Sequence, residues 1–393
     1  MTDLDALFPP KLRERLLELR RDIHRHPELA FQEERTAERL HAELAALKPA
    51  HLDVVAGTGI IARIEGEDSN APTVVVRGDI DALPIQEKTG LPFASQNPGV
   101  MHACGHDVHA AWTIGAAHLL AKQPAQGDVL ILLQPAEETA QGAPRVLKSG
   151  VLENAAAIFG AHVDRRFAVG QVVAQAGPIA AAADEFTIEL VGSGAHGARP
   201  HEGIDPIVGA GAVITALQTI VSRRLSPGSP AVVTIGKLHA GSAPNVIPDT
   251  ARLEGTIRSL DRESRDLLYD ELLRIAEGTA AAHGLDVRNS VSLGPPPIVN
   301  AEEPVGWARQ AVEKLLGAEA LVPMGYLNLG GEDFAFYLEQ MLGCFLRIGA
   351  REEGGQPIPA HSSRFFAADE SIFIGAAVLA ETARIATRSL RRR

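Results

Sequence analysis

A chain of 393 residues with a formal net charge of −12 is too long for one ordinary domain. It is also too acidic to favour nucleic acid or an anionic membrane as its main partner. With 46% hydrophobic and 22% charged residues the composition is that of a globular protein with a sizeable core, and a small anionic substrate stays open because a local arginine can outvote the global field.

The amino-terminal stretch MTDLDALFPPKLRERLL has neither a basic start nor an uninterrupted apolar run, so no signal peptide is expected. No apolar run is read as approaching bilayer length. In the first half, Leu12, Leu16, Leu19 and Ile23 recur on one face of a helix that ends near Pro27. Ala37, Leu40, Leu44 and Leu47 mark a second amphipathic helix. Short strand signals follow at Thr73–Val76, Val129–Leu133 and Ala157–Gly160, each running straight into polar residues: Asp79 and Asp81, then Glu137 and Glu138, then His162. Ligands of open α/β sheets sit at the carboxyl ends of strands, so this clustering predicts a site before any motif is invoked.

Between about residues 180 and 295 the rhythm changes. Strand signals at Asp184–Val191, Ala231–Leu238, Ala251–Leu260 and Val287–Leu293 alternate with helices over Asp205–Leu225 and Asp261–His283, a βαββαβ order of ferredoxin-like type. Afterwards come Glu302–Leu316 and Glu332–Met341 as helices, the strand Cys344–Ile348 and a final helix from Asp369. The expected architecture is an α/β domain with a mixed sheet, 1–179 and 296–393, interrupted by an inserted α+β domain over 180–295. The two cysteines, Cys104 and Cys344, are read as free thiols in a reducing cytoplasm.

The densest chemical signal is MHACGHDVH, residues 101–109. Cys104 and His106 offer a thiolate and an imidazole two residues apart, close enough for one metal site, although a buried cysteine among surface histidines reads the same way. His102 and His109 are read as neighbours of the site. In QPAEE, residues 134–138, adjacent side chains diverge, so one glutamate can ligate a metal while the other faces substrate as general base; a solvated acidic loop is the plainer alternative. His162 and His361 are weak signals singly, and Asp79 and Asp81 serve as ligands or hold ligands through hydrogen bonds. What joins them is position on one edge. No HExxH, GxSxG, Walker loop or complete GxGxxG occurs, which argues against the chemistries those motifs carry.

These residues, with RGDIDALPI, GAHV, GSGAHGARPHEGIDPI, PNVIPD, GTIRS and GGEDFAFY in order, resemble the M20 metallopeptidases, specifically the amidohydrolase branch of hippurate hydrolases, auxin–amino acid conjugate hydrolases and N-acetyldiaminopimelate deacetylases. The resemblance runs from Arg21–Leu29 to the final helix. It implies two divalent metals per subunit, Zn or Mn first and Co or Ni next, held by Cys104, His106, Glu138, His162 and His361. It implies Glu137 as general base and Asp81 as the carboxylate orienting the site, with Asp79 standing where other branches carry a ligating histidine and left out of the ligand set. HSSRF, residues 361–365, departs from the branch, where a proline often follows the serine, which bears on loop shape more than on ligation.

The inserted segment is expected to act as lid and homodimerisation domain. His196 is the candidate donor to the oxyanion, and the resemblance implies that it reaches the neighbouring subunit's metals, although it also reads as an ordinary exposed loop histidine. Arg258 and Asn245 are candidates for the substrate's free carboxylate, and on a strand Arg258 equally reads as a surface charge. The expected enzyme is a cytoplasmic amidohydrolase of N-acyl amino acids, with no nucleic-acid or membrane partner. Alternatives are a dipeptidase or carboxypeptidase of the same family, a metal-free thiol amidase with Cys104 as nucleophile, and a silent ligand-binding module.

Overall fold

The computed structural model describes residues 4–390, so the first three residues of the stretch read for a leader lie outside them. The chain forms two compact units, one of Met1–Gly177, Val299–Tyr326 and Asp333–Arg393, the other of Pro178–Ile298 and Leu327–Glu332.

The first unit is built on a seven-stranded sheet. In spatial order its strands are His51–Val55, Gly59–Ile64, Val129–Gln134, Thr73–Asp79, Ala155–Ala168, Leu342–Arg351 and Val172–Val173. The middle four are parallel and the flanking ones antiparallel. Parallel strands covered on both faces read as continuous apolar runs, as Val74–Val76 and Val129–Leu133 do. The helix His106–Lys122 buries residues all round its circumference because it packs against the sheet and the helices Pro10–Arg25 and Glu370–Leu390 together. Gly375 permits the last approach, since a Cβ there would come within 2.3 Å of the Trp112 ring.

Two expectations need correction here. The strand expected to end at Gly160 continues to Ala168, so His162 is a mid-strand residue. Thr73–Asp79 pairs with it only as far as Arg77 opposite Gly160, while Leu342–Arg351 continues alongside and sets Arg347 opposite His162. The functional edge is a step where one neighbouring strand stops pairing. The helix expected over Glu332–Met341 shrinks to the single turn Ala335–Leu338. The segment is held by side chains instead: the buried Asp333 carboxylate before the turn binds Arg77 and Gln134, and the Tyr337 hydroxyl within it donates to Gln134 Oε1.

The second unit carries a four-stranded antiparallel sheet in the order Ala231–Ala240, Thr250–Ser259, Ala182–Val191 and Asp286–Ser292, the arrangement of a ferredoxin-like unit. Helices Pro206–Thr219 and Arg262–Ala282 close its core through Val213, Leu217, Leu268 and Leu272 against Phe186, Ile188, Leu190 and Leu253. Asp205 and Asp261 cap them, accepting from Ile207 N and Ser264 N at 2.8 and 2.7 Å. The stretch Pro206–Arg224 also corrects the reading that no run nears bilayer length, since it is long and apolar enough by length and composition. One side of it joins the second core through Ala210, Val213, Leu217 and Ile220, whereas Ile207, Val208 and Val221 are exposed.

Candidate metal centre

The helix His106–Lys122 begins at Gly105, whose φ of 88° lies in the left-handed region and where a Cβ would come within 2.4 Å of Val163. This turn brings Cys104 and His106 to one place with His162 from the sheet, their ligand atoms all within 4.8 Å of one another. Two of the further groups that meet the same limit join these residues to the rest of the expected set: Cys104, Glu138 and His361, and His106, Glu137 and Glu138. The five residues expected as ligands and the expected base are therefore neighbours in the first unit.

Two of the imidazoles are aimed by their second nitrogen. His106 Nδ1 lies 2.9 Å from the Asp81 carbonyl and 3.2 Å from its Oδ1, so the proton belongs on Nδ1 and Nε2 is bare. The other Asp81 oxygen accepts the Glu138 N–H at 3.0 Å, which ties two candidate ligands to one carboxylate. His162 Nδ1 donates to the Val163 carbonyl at 2.7 Å and presents Nε2 to Cys104 Sγ at 3.2 Å. His361 sits at φ 65° with its N–H bonded to the Ala103 carbonyl, and its Nε2 is 3.4 Å from Glu138 Oε2.

The donors fit a pair of divalent cations. His106 Nε2 and Glu138 Oε1 are buried without a hydrogen-bond partner, so lone pairs stand in the centre with no protein donor to meet them. Electrostatics agree. Burial opposes a charge on His106, yet Asp79, Asp81 and Cys104 raise its pKa well above the usual value. Cys104 and then Glu138 raise His361 to about 10. A site that draws protons onto two imidazoles draws other cations as well, and a bound metal displaces those protons. His162 is the exception, pushed down first by burial and then by His109 and Arg347.

Behind the donors lies a buried polar layer. His109 spends both nitrogens on protein, Nδ1 on Asp79 at 2.6 Å and Nε2 accepting from Val163 N at 3.0 Å, so it supports the site as the sequence reading places it. Asp79 is also paired with Arg77; against the opposing effect of burial, His106, His109 and Arg77 hold it well below the usual carboxylate range. Several supports have no role in the sequence reading. Asp333 accepts from Arg77, Gln134 and Ala143 N, and its own N–H reaches Glu137 Oε1 at 3.4 Å. Glu33 accepts from Ala136 N at 3.0 Å and fixes that residue at φ 54°, immediately before Glu137. Asp107 binds Arg20 at 2.7 Å and His24 at 2.9 Å. The signal available for Arg77 was a charge inside an apolar strand; Glu33 and Asp333 are far from Glu137 in sequence.

His196, Asn245 and Arg258 belong to the second unit. His196 is exposed on a two-residue strand paired with Val246, and with Asn245, His239 and Asp249 it lines an open cleft of about 560 Å³. Arg258 is half-buried on the strand Thr250–Ser259, between Val232 and Ala183, and does not line that cleft.

Residues 75–385 match the family model described as peptidase family M20/M25/M40. The chain belongs to this family. An N-acetyl-L-cysteine deacetylase of Bacillus subtilis is 42% identical to it over 371 residues, 93% of this chain and 86% of the relative. An IAA-amino acid hydrolase ILR1-like 4 of Arabidopsis thaliana is 36% identical over 90% of this chain and 81% of its own length. Among solved structures, the Bacillus subtilis YXEP protein, a dinuclear metal-binding peptidase from the M20 family, matches with a TM-score of 0.85 and 36% identity over 97% of this chain and 99% of that one. The M20 chain described here is thus a metal-dependent amide hydrolase.

Proposed function

We propose that this M20 enzyme hydrolyses the amide bond of N-acyl amino acids, with Glu137 as general base and Cys104, His106, Glu138, His162 and His361 holding two divalent cations. The observation that carries the reading is a centre in which Glu137 Oε2 lies 3.8 Å from the ligand atom of His106 while Glu138 presents an unpartnered oxygen to the same centre. Relatives named for N-acetylcysteine deacetylation and for IAA–amino acid hydrolysis support the substrate class. Bound cations supply a more acidic water and a polarised amide carbonyl. Glu137 takes the proton from the attacking water and delivers it to the leaving amine nitrogen, giving a carboxylic acid and a free amino acid. Asp333 N–H steadies the Glu137 carboxylate, and Asp81 keeps His106 and Glu138 in register. A thiol mechanism is disfavoured, because it leaves Glu137 and Glu138, gathered at the same centre as Cys104, without a role.

The second unit acts in this reading as lid and homodimerisation domain, with His196 of one chain donating a hydrogen bond to the developing oxyanion at its partner's centre. Arg258 and Asn245 hold the free carboxylate of the amino acid. The deciding experiment is a hydrolysis screen of N-acyl amino acids by protein stripped of metal and reloaded with Zn, Mn, Co or Ni. Activity is expected to vanish on stripping and return on loading; full activity in thoroughly stripped protein overturns the mechanism.

A further inference from the structure

Five arginines of the described residues are more than nine-tenths buried: Arg20, Arg77, Arg165, Arg347 and Arg384. Four have carboxylate partners, Arg20 with Asp107 and Asp369, Arg77 with Asp79 and Asp333, Arg165 with Glu352, and Arg384 with Glu381. No ion pair among the described residues reaches Arg347, and its Nε lacks any hydrogen-bond partner. Only Nε is fully enclosed; the terminal nitrogens meet no protein acceptor and keep access to solvent, from which an anion can reach them.

Its position tells which anion. Arg347 stands opposite His162 in the parallel ladder, and neighbouring strands are about 4.8 Å apart. Ala161, Val163, Leu346 and Ile348 join the main core, so by alternation Arg347 and His162 share the opposite face of the sheet. The Arg347 charge is felt by His162 and by the Tyr326 phenol. Asp164, two residues further along the same face than His162, is engaged by Tyr326 Oη at 2.5 Å and lies 3.7 Å from Arg166. Arg347 therefore presents a free fork beside a candidate metal ligand, at the step where Thr73–Asp79 has stopped pairing.

We propose that Arg347 is a specificity residue that binds a carboxylate of the substrate on the catalytic unit. The proposal rests on the reading of the adjacent centre as the site of amide hydrolysis. A guanidinium and a carboxylate match through two parallel N–H···O bonds, which a neutral amide cannot reproduce. The carboxylate has two sources: a second carboxylate carried by the acyl group, as in an N-succinyl substrate, or the α-carboxylate of the amino acid, in which case Arg347 takes the role given above to Arg258 and Asn245.

The test uses metal-loaded enzyme and four substrates, an N-acetyl amino acid, the same amino acid N-succinylated, and the α-amide of each. In Arg347→Met, KM is expected to rise about 10–100-fold for substrates bearing the recognised carboxylate, with kcat changed much less, and Arg347→Lys restores part of the loss. A loss confined to free acids over α-amides assigns the α-carboxylate; a loss confined to succinyl over acetyl assigns the acyl group. The melting temperature of Arg347→Met is expected to hold or rise, because the substitution removes an unpaired buried charge. Equal effects on all four substrates, or a lowered melting temperature with preferences unchanged, overturn the proposal. If the loaded wild-type enzyme turns over none of the four, the functional reading itself fails, an outcome distinct from the variant's behaviour.

Discussion

The two units place their chemistry in opposite surroundings. In the first, His106, His109, Asp79 and Asp333 are fully buried, and His106 and His162 are aimed by the Asp81 and Val163 oxygens behind them, while His361 alone of the candidate ligands is exposed. In the second, His196 and Asn245 are exposed on a two-residue ladder beside an open cleft. Buried supports that are hydrogen-bonded keep one geometry, so the first unit holds its unpartnered donors, His106 Nε2 and Glu138 Oε1, in place for a cation. An exposed histidine has no such constraint and gains a role from whatever it meets. The difference teaches where each unit should be fragile: the first to substitution of any buried partner, the second to loss of its assembly.

The sharpest way to break this contrast lies in the glutamate pair. Glu137→Gln is expected to keep metal content and substrate affinity and to lose about 10²–10⁴-fold in turnover, while Glu138→Gln loses metal. Metal analysis beside kcat and KM separates the two; reversed phenotypes mean that the base and the ligand have been exchanged.

A second experiment probes the buried layer rather than the donors. Asp107→Asn leaves Arg20 and His24 without their shared carboxylate, and breaking a buried pair of this kind costs about 3–5 kcal/mol, read from urea unfolding midpoints. Burial alone would raise the Asp107 pKa, but Arg20 and then His24 hold it well below the usual carboxylate value of 3.8. A depressed carboxylate stabilises fully above that value and loses its contribution as pH falls below it. The gap between wild type and variant should therefore be widest near neutral pH and narrow in acid. A gap independent of pH would show that the Asp107 charge is not what holds the layer.

The mildest expected effect belongs to the second unit. Mixing His196→Ala with Glu137→Gln chains, each nearly inactive alone, should restore activity to about half of the sites in heterodimers if sites are shared across a two-fold dimer. The exposed Ile207, Val208 and Val221 give that unit an apolar surface suited to association. No recovery after verified subunit exchange means that His196 acts within its own chain or has no part in turnover.

Much of this was legible in the one-dimensional pattern because it depends on short-range order. The 3.6-residue and two-residue periodicities marked the helices Pro10–Arg25 and Arg262–Ala282 and the strands Ala182–Val191 and Thr250–Ser259 to within a few residues. The segments holding Cys104, His106, Glu137 and Glu138 announced themselves by density of donor atoms, and the family resemblance assigned them roles. Tertiary structure alone decided the rest. That Asp333 and Glu33 flank Glu137, that His162 stands within a strand, and that Arg347 lies opposite it without a counter-ion all follow from which strands pair and how far. Burial and pairing are properties of the packed chain, set by contacts between residues as distant as Arg77 and Asp333, and no local pattern encodes which buried charge will find its partner.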